Sequence, residues 1–142
     1  IKNPVDINKP QLQKALTKKF SNSLSLLNIG NNHLCIKMQS ISKVDLAKIY
    51  KELPKLAKDI DINLSIYKKE KNKISIRTYE NGVGETLSCG SASLSVASIF
   101  INKAKGPIEV SSFGGKLNFR KYNDGILMAG PTSFIFKGNI NG

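Results

Sequence analysis

The sequence predicts an α+β fold: a strand-rich lobe around one buried helix. Three observations predict it. Residues 62–80, "INLSIYKKEKNKISIRTYE", alternate apolar and polar on both sides of a lysine-rich turn. Ile62, Leu64 and Ile66 form one set, and Ile74, Ile76 and Thr78 another, the pattern of a β-hairpin. Residues 91–105 are small and apolar enough for a buried helix. Residues 106–140 then give four short strands separated by Pro, Gly-Gly, Asn-Asp-Gly and Gly-Pro turns.

The remaining elements follow in order. Residues 9–20, "KPQLQKALTKKF", suit a short helix or an irregular lead-in. "LSLLNIG" (24–30) and "LCIKM" (34–38) read as strands on either side of "NNH". Residues 42–60 place Val44, Leu46, Ile49, Tyr50, Leu53, Leu56 and Ala57 at helical spacing. Ser42 is a candidate N-cap with Asp45 three residues on, and Pro54 should end or kink this helix. No repeat, low-complexity tract or linker interrupts the chain, so residues 1–142 read as one domain. The opening "IKNPVD" reads like the middle of something longer.

The net charge is +12, from 22 basic and 10 acidic residues. The basic residues are lysines except Arg77 and Arg120. Specific nucleic-acid sites lean on arginine and stacked aromatics, so solvated lysine faces are expected and a nucleic-acid partner is not. No run approaches the ~20 apolar residues of a membrane span. Cys35 and Cys89 are the only thiols. They make no disulfide framework and no zinc spacing, so no metal is expected and a reducing, cytoplasmic setting is the simplest assumption. Cys35, inside an apolar strand, reads as buried and inert.

Cys89 differs. In "YENGVGETLSCGSASLSVASIF" (79–100) a glycine-rich loop runs into a cysteine just before the buried helix. The first N–H groups of a helix lack internal partners, and the dipole there is positive. That setting lowers a thiol pKa and can also hold a carboxylate. Gly90 permits close approach, and Ser91 adds an N–H and a hydroxyl. A thiolate beside a carboxylate cradle can remove the proton alpha to that carboxylate. Spacing alone leaves this reading level with a small buried residue at a helix start.

"YENGVGETLSCGSA" resembles the second cysteine motif of the diaminopimelate epimerase family. "NIGNNHLCI", "DINLSIY", "SSFGGKLNF" and "LMAGPTSFIFKGNI" resemble further segments of it, over about residues 24–142. The resemblance implies one half of a two-lobed fold, each half a strand-rich barrel wrapped around a central helix, with one cysteine from each lobe. This chain resembles the C-terminal lobe alone; the N-terminal lobe has no counterpart here. The implied activity is conversion of LL- to meso-diaminopimelate, in lysine biosynthesis, by two-cysteine proton transfer without a cofactor. Inversion needs a base on one face of the carbon and an acid on the other, so an isolated lobe should be inactive.

The resemblance also implies residue roles. Cys89 is one acid/base thiol. Gly90 and Ser91 bind the carboxylate at the reacting centre. Glu80 holds the substrate amino group, where the competing reading is an exposed strand-end charge. Asn31 and Asn63 contact the distal end, or simply form turns. His33 lines the site near the thiol, or is a polar turn residue. Asn81 stands where the family has an arginine reaching the distal carboxylate, and an amide makes no charged bidentate pair. Asn32 replaces a proline and should change only local stiffness. Three hypotheses follow: a half needing its missing N-terminal lobe, a self-pairing homodimer with a second copy acting on another amino acid, or a non-catalytic ligand- or partner-binding domain. An unpaired lobe should expose an apolar surface.

Overall fold

The computed structural model describes residues 5–20, 23–87 and 90–130. Nine strands and four helices are described: β1 (Val5–Asp6), α1 (Pro10–Lys19), β2 (Leu24–Asn28), β3 (Asn32–Lys37), α2 (Leu46–Lys51), α3 (Lys55–Asp59), β4 (Asn63–Glu70), β5 (Lys73–Glu80), β6 (Gly84–Thr86), α4 (Gly90–Phe100), β7 (Ile108–Ser112), β8 (Gly115–Tyr122) and β9 (Gly125–Ala129). They build one sheet in the order β1-β2-β3-β4-β5-β7-β8-β9, with β6 paired to β5 off this path. Neighbours are antiparallel except β3/β4 and β5/β7. Each parallel join needs a crossover; α2 and α3 make the first, β6 and α4 the second.

Strand alternation sorts the sheet into two apolar faces. Leu34, Ile36, Leu64 and Ile66 point to one face, where Leu12, Leu16, Leu46, Tyr50 and Ala57 of α1, α2 and α3 cover them. Cys35, Tyr67, Ile74 and Ile76 point to the other and pack on α4 through Ala92, Val96 and Ala97. β3, β4, β5, β7 and β8 all touch α4. The fold is therefore the expected α+β arrangement, a strand-rich lobe wrapped around one helix. Cys35 is fully buried and its thiol pKa is pushed up to about 12 by loss of solvent, the inert thiol expected.

Three local expectations are corrected. The helix expected over 42–60 is two helices. Ser42 does not cap it: Asp45 does, its carboxylate accepting the Lys48 N–H at 3.1 Å. Pro54, with no N–H to donate, then breaks the run and stands at the N-cap of α3. The buried helix ends at Phe100, where a turn with Lys103 N–H bonded to the Phe100 carbonyl replaces the expected continuation to 105. The glycine-rich loop contains a strand, β6, which folds back on β5 through the turn at 81–83. Gly82 and Gly84 carry φ of 80° and 111° there, values that side-chain-bearing residues rarely adopt. Three of the four strands expected over 106–140 are present; the fourth lies outside the described residues.

Candidate active site at one pole of the sheet

Two strand starts and one strand end meet at one pole. His33 pairs with Asn63 across β3/β4. The β4/β5 register sets Leu64 opposite Tyr79, which brings Glu80 beside Asn63. By alternation His33, Asn63 and Glu80 share the face that carries α4. The direction of α4 is fixed at its other end. The ring of Phe100, its last residue, lies 4.9 Å from Lys69 Nζ and 6.0 Å from Lys37 Nζ, at the far ends of β4 and β3. Eleven residues at ~1.5 Å each run from there over β3, β4, β5, β7 and β8, a length that can bring the α4 N-terminus to the pole of His33, Asn63 and Glu80.

Gly90 opens α4 and is exposed, with nothing within 4 Å of where a side chain would begin. Ser91 follows, half-buried. The start of this first turn at Gly90 borders open space, the setting in which a helix N-terminus can approach a carboxylate. Cys89 lies outside the described residues; it is the residue bonded to Gly90 in the chain.

His33 is a buried strand residue, not a turn residue. Its Nε2 is 3.1 Å from Asn31 Oδ1, while Nδ1 is buried with no protein partner among the described residues. Burial lowers its pKa to about 4, with the Glu80 carboxylate pulling the other way. The ring is therefore neutral at pH 7, with Asn31 oriented against it.

Asn63 ties the pole together. Its Oδ1 accepts the Asn81 N–H at 2.9 Å and its Nδ2 donates to the Asn32 carbonyl at 3.3 Å. One amide has two donor hydrogens and two lone pairs, so among the described residues one of each on Asn63 is unused. Asn81 follows β5. The Tyr50 hydroxyl, 2.8 Å from its Oδ1 and 2.8 Å from the Ile62 carbonyl, draws its side chain toward α2. Its Nδ2 lies 3.5 Å from Asp61 Oδ1.

Residues missed at the sequence level hold these groups. Tyr50 reads as a core position by helical spacing, yet it bonds Asn81 and stacks on Tyr79 at 4.4 Å between ring centroids. Asn32 does more than alter stiffness: it accepts from Asn28 Nδ2 and donates to the Ile60 carbonyl, both at 2.8 Å. Arg77 forks onto Glu85 at 2.7 and 2.8 Å and donates to the Ile41 and Val44 carbonyls. This clamp holds β6, and the loop toward Cys89, against β5. Asp61, with φ of 51°, gave no sequence signal beyond its charge.

Two open cavities border the described residues. One, of about 410 Å³, is bordered by Ser40, Lys68, Ser75, Arg77 and Phe113; the other, of about 580 Å³, by Pro10, Leu12, Leu56 and Ile60. Among the described residues no cluster of His, Cys, Asp and Glu has the grouping of a metal site. No helix among them is long and apolar enough to cross a membrane.

A mixed sheet wrapped on a helix is an arrangement seen in other proteins. A phenazine biosynthesis PhzF-family protein from Enterococcus faecalis shares this fold at a TM-score of 0.52 and 19% identity, over 68% of this chain and 36% of that one. The family model for diaminopimelate epimerase matches residues 25–135. This chain belongs to the diaminopimelate epimerase family. It is 32% identical over 123 residues to the diaminopimelate epimerase of Methanocella arvoryzae, covering 83% of this chain and 44% of that protein. It is 31% identical over 130 residues to that of Buchnera aphidicola subsp. Baizongia pistaciae, covering 84% and 45%. The chain thus spans about half the length of the curated relatives it matches.

Proposed function

We propose that this chain is one lobe of a cofactor-independent amino-acid epimerase of the diaminopimelate epimerase type. Cys89 supplies one of its two acid/base thiols. The observation that carries the proposal is the gathering of Glu80, Asn63 and His33 at one pole, on the sheet face that packs on α4, with Cys89 bonded to the first residue of that helix. The substrate carboxylate takes the first N–H groups of α4 at Gly90 and Ser91. Glu80 binds the ammonium, a charge-assisted bond worth about 1.5–3 kcal/mol. The helix dipole favours the thiolate of Cys89, which removes or returns the alpha proton on one face.

The opposite face needs a second thiol, which a complementary lobe brings. Leu87 and Phe113 are each 69% exposed and Val83 is 73% exposed, a local set of apolar side chains around the loop that leads to Cys89. The Gly114 N–H bonds the Leu87 carbonyl at 2.8 Å and holds Leu87 near Phe113. Such a patch suits a contact with another lobe.

The test is co-expression with the first lobe of a matched relative. The readouts are deuterium uptake at the alpha carbon and inversion, over a set of L-amino acids that includes LL-diaminopimelate. The pair should exchange and invert, and Cys89→Ala should lower both by at least a thousandfold. The chain alone should do neither. Inversion by the chain alone as a homodimer would replace the complementary lobe with a second copy. Activity that survives Cys89→Ala would refute the assignment.

A further inference from the structure

The candidate site occupies one pole of the sheet; the other gathers cations from segments far apart in the sequence. The ring of Phe100, the last residue of α4, lies 4.9 Å from Lys69 Nζ and 6.0 Å from Lys37 Nζ. Two ammonium groups from different strands are therefore no further apart than the sum of those distances. Lys103 follows in the turn that bonds back to the Phe100 carbonyl. The β4/β5 turn lies against the connection from α4 to β7, the Glu109 N–H bonding the Asn72 carbonyl at 2.8 Å. Gly106 stands beside the Asn72 side chain. These contacts bring the segments of Lys71, Lys73 and Lys105 together. Lys69 is half-buried, and the other five lysines are exposed.

The acidic residues on these segments are Glu70 and Glu109. Glu70 lies 3.7 Å from Lys68, and Glu109 lies 3.9 Å from Lys116. By register the β8/β9 hairpin stands at the same end of the sheet and adds Arg120, Lys121 and Asp124. All 10 acidic residues of the chain are among the described residues, so none outside them offsets this pole. The C-terminus of α4 offsets about half a unit charge.

Charge without an apolar anchor narrows the partner. None of the exposed large apolar side chains among the described residues lies on these segments. A protein partner needs a buried aromatic or aliphatic anchor, and a membrane surface needs a side chain to insert. Lysine is a compact point charge without arginine's fork for reading base edges. It does match a regular line of phosphates. A nucleic-acid duplex carries one charge per ~1.7 Å of its axis, and each phosphate neutralised releases condensed counterions. We propose that the lysine pole around Phe100 is a docking surface for the phosphate backbone of a nucleic-acid duplex, bound without sequence preference. The sequence argues for solvated lysines because spacing does not reveal that the hairpin and the crossover bring them to one place. The proposal stands on the placement of charge and is independent of the epimerase reading.

The experiment is fluorescence anisotropy of a labelled DNA duplex of mixed sequence with the 142-residue chain, over a range of NaCl concentrations. The logarithm of affinity should fall with the logarithm of salt with a slope of about −2.7 or steeper, the value for three phosphates. A duplex of different sequence should bind within twofold. Lys37→Gln, Lys69→Gln and Lys103→Gln together should weaken binding at least tenfold and flatten the slope. The same number of charges removed from α1, as Lys14→Gln, Lys18→Gln and Lys19→Gln, should weaken it less than threefold. Amide shifts of the unmodified ¹⁵N-labelled chain give a second reading that needs no variant. The duplex should move residues 68–73 and 103–106 and leave Asn31, Asn63 and Gly90 in place. Equal losses in the two triple variants would mean that the charge of +12 acts as a whole, and the proposal fails. It fails too if the duplex does not bind at low salt or if the shifts fall elsewhere. Tighter binding to phosphatidylserine vesicles or to poly-L-glutamate than to the duplex would also overturn it.

Discussion

The two poles of the sheet are built from the same strands and hold opposite chemistry. At one, the starts of β3 and β4 and the end of β5 present amides, a neutral imidazole and the carboxylates of Asp61 and Glu80, which make no ion pair among the described residues. At the other, the ends of β3 and β4, the start of β5 and the connections around them carry Lys37, Lys68, Lys69, Lys71, Lys73, Lys103 and Lys105 against Glu70 and Glu109. Helix α4 runs between them, its positive end at the site and its negative end under the lysines. The lysines therefore answer the helix C-terminus. The hairpin and crossover thus gather these seven lysines at the pole away from the chemistry.

His33 gives the sharpest test of the site pole, because it is the only histidine and its NMR titration is unambiguous. The ring should take up its proton near pH 4. In the unfolded chain it does so near 6.5. Its contribution to stability is complete above pH 6.5 and is lost as pH falls toward 4, because the unfolded state binds the proton first. The loss amounts to about 3 kcal/mol, read as the difference between the stability-pH curves of the wild type and His33→Gln. A His33 midpoint at 6.5 would show an open, solvated pole and weaken the comparison.

Glu80→Gln comes next. In the complemented enzyme it removes the charge facing the substrate ammonium and should lower kcat/KM by about 100-fold, near 2.7 kcal/mol. It should also lower the His33 pKa further, since Glu80 now raises it. That second shift separates an electrostatic role from a purely structural one. A tenfold or smaller kinetic loss with an unmoved His33 would mean that Glu80 faces solvent as an ordinary strand-end charge.

Much of this architecture is legible in the sequence, and for a uniform reason. Where side chains alternate between two buried faces, as in 62–80, period-two patterning survives, and β4 and β5 stand where it puts them. Where a backbone feature does the work, the pattern is silent. β6 hides behind Gly82 and Gly84, which look like a loop because the turn needs their positive φ. Helical spacing carries across Pro54 although the helix does not. The site divides in the same way. His33, Asn63 and Glu80 are recognisable from motif resemblance and the register brings them together. Tyr50 and Asp61 are not, because their role comes from a turn and a crossover that sequence spacing does not reveal. Asn32 reads as a missing proline, whereas its side chain bridges Asn28 and the Ile60 carbonyl.

The smallest expected effect belongs to the lysine pole, and it tests whether the poles are independent. Lys37 and Lys69 lie over the Phe100 ring, a contact worth about 0.5–1 kcal/mol each at an exposed site. Their removal together as Lys37→Ala and Lys69→Ala should cost no more than about 2 kcal/mol of stability. Lys69 is six residue steps along β4 from Asn63 and Lys37 four along β3 from His33, about 20 and 13 Å at strand spacing, each more than the Debye length of about 8 Å at physiological salt. Amino-acid affinity at the site should therefore change less than twofold. A larger change that disappears at high salt would mean that the lysines act on the site through the protein's field. The segregation seen along the sheet would then describe where the charges sit without separating what they do.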